Sequence, residues 1–311
     1  MQILVYNIQM PLYLYQHCGQ SIRTEMIAKH LLQFHPLDAI VFCEVFRSET
    51  RKYLVKALHA MYPYSCHLPR HSNCITNGGV LILSRWPIVD TSYIFYRAAA
   101  GEERLASKGA VCSILDTPEG ARTLIGTHMQ SWKKHEKVRR KQFRELFEWA
   151  RTFPDTTPTL IVGDFNVDFH GERLDFQNQI LQFPILLGSQ IHSMSNSNSL
   201  RGSDLTASRN GCGADYLRQV CHSTNENMLC QMVYDKPKTE QIECACCEDK
   251  LLDYAVIPRD SPGATTLTAQ VLRWKSSQYM MFPTWVIGQL VRTTMKTNDL
   301  SDHYPVLINW V

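Results

Sequence analysis

Two oxygen-bearing side chains stand two residues apart in the stretch TLIVGDFNVDF, residues 159–169: Asp164 and Asn166. Leu160, Ile161 and Val162 read as a buried strand that turns at Gly163 and then presents a carboxylate and a carboxamide. Side chains at i and i+2 of a strand point the same way, so the spacing aims both beyond the sheet edge. Asp and Asn are common turn residues, which is one reading; half of a phosphate site is the other. Polar residues also close or open other apolar runs. Asn7 follows run 3–6, Glu44 follows 39–43, and His128 follows 123–127. Asp253 stands near the start of run 251–257, and Asp302 with His303 opens run 304–308. Each one alone is a solvated carboxylate, a structural hydrogen-bonder or a cap. Together they fall at similar places on separate runs, which a collection of unrelated turns does not explain.

Strands and helices must carry them there. The apolar runs 3–6, 39–43, 80–83, 123–127, 160–162, 251–257 and 304–308 are strand-like. Helical spacing puts Ile22, Met26, Ile27 and Leu31 on one face, and Leu54, Ala57, Leu58 and Met61 on another. A third helix turns Val138, Phe143, Leu146, Phe147 and Ala150 inward. Its Lys137, Arg139, Arg140, Lys141 and Arg144 are mostly outward, as a solvated face. Strands and helices alternate through the first half and strands dominate afterwards. The pattern predicts a layered α/β sandwich with sheets inside and helices outside. Residues 188–250, rich in Ser, Asn, Gly and Cys and including SMSNSNS, read as a long loop or insertion on one domain spanning 1–311.

The 311 residues are 44% hydrophobic and 20% charged, an ordinary globular composition. A net charge of +3 carries no strong nucleic-acid footprint in the totals. No run reaches the roughly 18 apolar residues of a spanning helix. The start, MQILVYNIQM, lacks the charged head and long apolar run of a signal peptide. The expectation is a cytosolic protein, or one peripheral on a membrane, or a secreted one if a leader was removed ahead of residue 1. Of eleven cysteines, Cys43 and Cys112 sit in apolar runs as core residues, and six fall between Cys212 and Cys247. Those six lack paired zinc-ligand spacing, so reduced thiols are favoured over a zinc or disulfide cluster.

The ordered set Asn7 in VYNIQM, Glu44 in IVFCEV, His128 in GTHMQS, Asp164 and Asn166 in GDFNV, Asp253 in LLDYAVI, and Asp302 with His303 in SDHYPV resembles the endonuclease/exonuclease/phosphatase superfamily. The resemblance runs along the chain and is weakest from 188 to 250. It implies a deoxyribonuclease I-like fold, a four-layer sandwich of two central β-sheets flanked by helices. Within that superfamily the chain is similar to neutral and bacterial sphingomyelinases. NIQM, Gly78-Gly79, Ser107-Lys108-Gly109, GTHMQS, LDY and SDHYPV carry that likeness. The GDLN-like and WCDR-like motifs of phosphoinositide phosphatases are missing, as is the LQE-like motif of abasic-site nucleases.

The resemblance implies Mg²⁺-dependent hydrolysis of sphingomyelin to ceramide and phosphocholine, with Mn²⁺ or Co²⁺ able to substitute. A nuclease, or a phosphodiesterase on another (lyso)phospholipid, is the alternative; a catalytically silent binding protein on the same fold comes behind. Glu44, with Asn7 beside it and Asp302 near its water shell, is the implied metal set, since a hard cation prefers oxygen donors. His303 is the implied general base, Asp253 orients it, and Asp164 helps activate the nucleophile. Asn166 and His128 donate hydrogen bonds to phosphate oxygens. Lys108 belongs near the phosphate. Some relatives carry an Asp–Lys switch at the spacing of Glu103 and Lys108; the longer acid here leaves that open beside a plain surface pair. The segment 274–291, WKSSQYMMFPTWVIGQLV, is too broken to span a bilayer. It reads either as a hairpin dipping Phe282 and Trp285 into the interface or as a buried strand pair. The implied partner is sphingomyelin at a membrane surface, met by a monomer.

Overall fold

The computed structural model describes residues 1–10, 20–154, 156–167, 209–210, 250–257, 267–272, 274–286, 289–291, 293–301 and 303–311. The chain opens with β1 (Gln2–Met10), α1 (Gln20–Gln33), β2 (Ala39–Val45) and α2 (Ser48–Leu58). A run of strands follows: β3 (Tyr64–His67), β4 (Leu81–Ser84), β5 (Ile88–Phe95), β6 (Gly109–Thr117) and β7 (Gly120–His128). Then come α3 (Glu136–Ala150) and β8 (Thr159–Asp164). Two-residue strands β9 (Arg209–Asn210) and β10 (Lys250–Leu251) pair with each other. The described chain closes with β11 (Asp253–Val256), β12 (Leu267–Val271), β13 (Lys275–Val286), β14 (Gln289–Val291), β15 (Thr293–Asp299) and β16 (Val306–Trp310).

Two mixed sheets face each other. One has the order β12-β16-β1-β2-β4-β3, the other β11-β8-β7-β6-β5. β1 and β2 are parallel, as are β7 and β8. A parallel pair needs a crossover, and α1 and α3 supply them. The runs on β1 and β8 are apolar without alternation because both faces are covered. Ile3 and Val5 point between the sheets, where they meet Leu124, Leu160 and Val162. Leu4, Tyr6 and Ile8 point the other way, onto Ile27 and Leu31 of α1 and Leu54 and Leu58 of α2. On the far side Ile125, Ile161 and Tyr254 pack on Phe143, Leu146 and Phe147 of α3. These three cores make the four-layer sandwich, each filled side chain contributing about 1.5–3 kcal/mol.

Three expectations change in detail. Gly163 is not a turn but lies inside β8 at φ +145°; a Cβ there would sit 1.9 Å from Thr127 O on β7. The residue is a glycine because the two strands run too close for a side chain. The left-handed turn falls later, at Asn166, φ +54°. Ile22 is 47% exposed, because α1 turns Arg23 and Thr24 inward instead. On α3, Arg139 is buried where a solvated face was expected; its guanidinium donates to Gln130 O and Trp132 O.

Segment 274–291 forms β13 and β14, which with β15 make a separate three-stranded sheet. Phe282 is opposite Met295 and Trp285 opposite Leu290. The segment therefore does not complete either central sheet. The six cysteines from Cys212 to Cys247, and the 188–250 insertion apart from β9 and Lys250, lie outside the described residues. Cys43 and Cys112 are buried free thiols, as expected. Among the described residues no helix is long and apolar enough to cross a membrane.

Candidate active site

Register brings the polar residues together. β7 runs parallel to β8 with His128 beside Asp164, and β8 runs antiparallel to β11 with Asp164 beside Asp253. One row across three adjacent strands thus carries His128, Asp164 and Asp253. In the other sheet β1 pairs with β2 so that Asn7 lies beside Cys43, one residue before Glu44. The two rows meet face to face through Asn7. Its Nδ2 donates to Glu44 Oε1 at 3.0 Å and to Asp164 Oδ2 at 2.9 Å.

The strand exits are bent to make this possible. Gln9, Glu44 and Asn166 all have positive φ, at 47°, 61° and 54°. Left-handed backbone costs a non-glycine residue about 1–2 kcal/mol. Such strain persists where surrounding contacts over-determine it, and functional sites are where it gathers. Asp164 Oδ1 accepts from Asn166 N at 2.8 Å, and Asn166 Nδ2 donates to Met129 O at 3.1 Å. Asn166 therefore sits beside Asp164 through a turn, not through strand alternation. Beside Glu44, Gly79 has φ +76°, and a Cβ on it would lie 3.1 Å from the Glu44 Cα.

Contacts to Asp253 and Ser301 help to fix His303. Its Nδ1 lies 2.8 Å from Asp253 Oδ2, and its backbone N–H donates to Ser301 Oγ. A carboxylate at Nδ1 sets the proton there and turns Nε2 outward as an acceptor. That Nε2 is 3.8 Å from Asp164 Oδ2. Asp302, the neighbouring candidate ligand, lies outside the described residues.

The electrostatics are those of a buried acidic hollow. Burial and the Asp253 charge push the Asp164 carboxyl up from its ordinary value to about 7, against the opposing pull of His303 and Asn7. Burial, then Lys108 and His303, hold His128 well below its ordinary value. Glu44 is the most open of the acids, its side chain 24% exposed. Glu44, His128 and Asp164 bring one ligand atom each within 4.8 Å of one another, as do Asp164, Asp253 and His303. Carboxylate oxygens are donors a hard divalent cation takes, and an acid raised by burial and by a neighbouring carboxylate is short of positive charge. The Glu44 and Asp164 carboxylates fit such an ion; Asn7 turns its Nδ2 toward both, while its Oδ1 accepts from the Gln9 N–H.

Lys108 is no surface residue. Its side chain is 1% exposed, and its Nζ lies 3.0 Å from Glu103 Oε1, 3.1 Å from His128 Nε2 and 2.9 Å from Met129 O. Glu103 also accepts from the N–H and Oγ of Ser131. An ammonium has no lone pair to offer, so the His128 nitrogen facing it is the acceptor. Sequence reasoning overlooked Arg23. Its guanidinium donates to Ile8 O, Gln9 O and Leu300 O, tying the end of β1 to the approach to His303. The signal was present: Arg23 stands four and eight residues before Ile27 and Leu31, on the apolar stripe itself.

Fold and site together define a member of the endonuclease/exonuclease/phosphatase family, to which this chain belongs; the family model matches residues 4–219. Among relatives it is similar to sphingomyelinase C 2 of Leptospira interrogans, 33% identical over 151 residues. That match takes in 42% of this chain and 24% of the relative, well under two thirds of its length. A sphingomyelinase C of Bacillus cereus is 22% identical over 98% of this chain and 87% of its own. Among solved structures, a variant of the beta toxin of Staphylococcus aureus with bound magnesium ions superposes at a TM-score of 0.71. It is 20% identical and covers 99% of this chain and 98% of that one.

Proposed function

We propose that this chain is a Mg²⁺-dependent phosphodiesterase that hydrolyses sphingomyelin to ceramide and phosphocholine, its catalytic domain spanning 1–311 with 188–250 as an insertion. The observation that carries the reading is the Asn7 amide bridging Glu44 of one sheet and Asp164 of the other, with the Asp253–His303 pair alongside. Similarity to sphingomyelinases C supports the choice of substrate.

Glu44 and Asp164 would hold the cation, joined by Asn7 once its amide turns Oδ1 inward, with Asp302 near its water shell; the ion would supply neutralisation of charge on the phosphate and the leaving oxygen. His303 takes the proton of the attacking water at Nε2. Asp253 keeps that imidazole in the right tautomer and stabilises it once charged. Asp164 lies 3.8 Å from the same nitrogen and helps place the water. Lys108 brings its ammonium to the phosphate beside His128, and Asn166 closes the other side, so donors surround the oxygens where charge grows. With Nε2 accepting from Lys108, the His128 proton sits on Nδ1, so a hydrogen bond to a phosphate oxygen would come from Nδ1–H, or from Nε2 once Lys108 lets it go. Phe282 and Trp285 on the β13–β14 hairpin are the candidate membrane contacts.

The deciding experiment measures phosphocholine release from sphingomyelin and phosphatidylcholine vesicles, with Mg²⁺ and with EDTA. Release from sphingomyelin alone, abolished by EDTA, is expected. His303→Ala is expected to lose roughly 10²–10⁴-fold in rate. Full turnover by that variant would overturn the mechanism, and release from neither lipid by cation-loaded protein would overturn the substrate.

A further inference from the structure

The backbone just after β7 touches three of the candidate site residues. Met129 N–H donates to Asp164 O at 2.9 Å, and Met129 O accepts from Lys108 Nζ at 2.9 Å and from Asn166 Nδ2 at 3.1 Å. One peptide segment thus sets where both candidate phosphate donors, Lys108 and Asn166, stand. What fixes that segment comes from α3. Gln142 Oε1 accepts from Gln130 N at 2.9 Å, and its Nε2 donates to Ala98 O at 2.8 Å. Arg139 Nη1 donates to Gln130 O at 3.3 Å and to Trp132 O at 2.6 Å. Gln130 Oε1 accepts in turn from Ala100 N. Arg139, Gln142 and Gln130 are all buried. They stitch residues 98–100 and 129–132 to each other and to the helix.

Two features set this network apart from plain packing. Arg139 and Gln142 stand four residues before Phe143 and Leu146, so they lie on the same inward stripe of α3. An apolar side chain at either place would extend the core without the penalty of burying a charge or an amide. The stripe turns polar at the end of the helix that meets the 129–132 segment. The second feature is Trp132, whose carbonyl Arg139 holds: it has φ +71° and is 50% exposed. A bulky residue in the left-handed region is a genuine outlier, kept only where its surroundings over-determine it. We propose that Arg139 and Gln142 are positioning residues for the reaction. Through the 129–132 backbone they hold Lys108 and Asn166 where the phosphate of the transition state needs its donors. The proposal rests on the phosphodiesterase reading above and not on the choice of lipid.

The full chain with Mg²⁺ is assayed on sphingomyelin vesicles and on the soluble diester bis(p-nitrophenyl) phosphate. Calorimetry with orthovanadate, a mimic of the transition state, runs beside the assays. Arg139→Met and Gln142→Met are each expected to lose roughly 10–100-fold in kcat with KM little changed, and to bind orthovanadate more weakly by a similar factor. If Arg139→Met does not fold, Gln142→Met carries the same test without removing a buried charge. Leu146→Ala removes core packing from the same stripe; it should lower the unfolding midpoint and leave kcat unchanged. A double-mutant cycle gives the deciding comparison. In a Lys108→Met/Asn166→Ala background the donors are gone, so Arg139→Met should cost less than about threefold more. A full additional loss there would place the action of Arg139 elsewhere and overturn the proposal, as would variants that lose stability but keep kcat. Cleavage of the soluble diester without sphingomyelin would sink the substrate and leave the positioning role standing. With neither cleaved the reaction itself fails, and orthovanadate decides: affinity absent from the parent, or unchanged in both variants, overturns the positioning role too.

Discussion

In the proposed mechanism Asp164 is the residue on which proton and cation would meet. Its carboxyl stands at about 7 against an ordinary 3.8, because burial and Asp253 disfavour its charge. The folded protein therefore binds a proton there that the unfolded chain has released. Its contribution to stability is fully present below the ordinary value and is lost as pH rises through about 7. A cation needs the carboxylate, so binding near neutrality must expel that proton. We expect Mg²⁺ titrations at about pH 6, in buffers of different ionisation enthalpy, to register release of about one proton. Asp164→Asn should bind Mg²⁺ weakly and release none. Undiminished release in that variant would place the proton on another group.

Among the elements, the close approach of β7 and β8 sets the spacing of His128 and Asp164. It depends on Gly163, whose absent Cβ leaves room for Thr127 O. Gly163→Ala should cost roughly 3 kcal/mol, combining overpacking with backbone strain. Gly120→Ala is the matched comparison: its φ is +106°, but nothing lies within 4 Å of the added Cβ. It should cost only about 1 kcal/mol. Urea denaturation of the two variants decides; equal costs would remove the packing argument. The second joint is Arg23, which ties β1 to the chain before His303 through three carbonyls. Arg23→Gln should loosen the placement of His303 relative to Asn7. In phosphodiester assays we expect kcat to fall about tenfold to a hundredfold with KM little changed. A change confined to KM would assign Arg23 to substrate binding instead.

For the whole molecule the candidate active site is the clasp between two sheets. Glu44 and Asn7 come from one and Asp164 from the other, and a cation held among them would tie the layers in the folded state only. Mg²⁺ at a hundred times its dissociation constant should add about 2.7 kcal/mol to stability, read as a rise in the midpoint of thermal unfolding. Glu44→Ala should abolish most of that rise. An unchanged rise would move the cation away from Glu44. The β14-β13-β15 sheet stands apart from the two central sheets.

The order of motifs along the chain was enough for the family, the sandwich and the identity of most residues now seen together. Each stands at the end of a buried apolar run, and a buried run leaves a sharp hydrophobic pattern. Asn7, Glu44, His128, Asp164 and His303 were legible for that reason. What the pattern does not encode is how two sheets face each other. Only the fold brought Asn7 within hydrogen-bond distance of both Glu44 and Asp164, 37 and 157 positions away. Only the fold took Lys108 out of solvent and set it between Glu103 and His128, against the surface pair its spacing allowed. It likewise took Arg23 and Arg139 into the interior, where the Leu300 carbonyl, 277 positions away, receives the first and the carbonyls of Gln130 and Trp132, just ahead of α3, receive the second. Local periodicity reports which face of an element is buried; partners for a buried charge come from elsewhere in the chain, and tertiary packing alone supplies them.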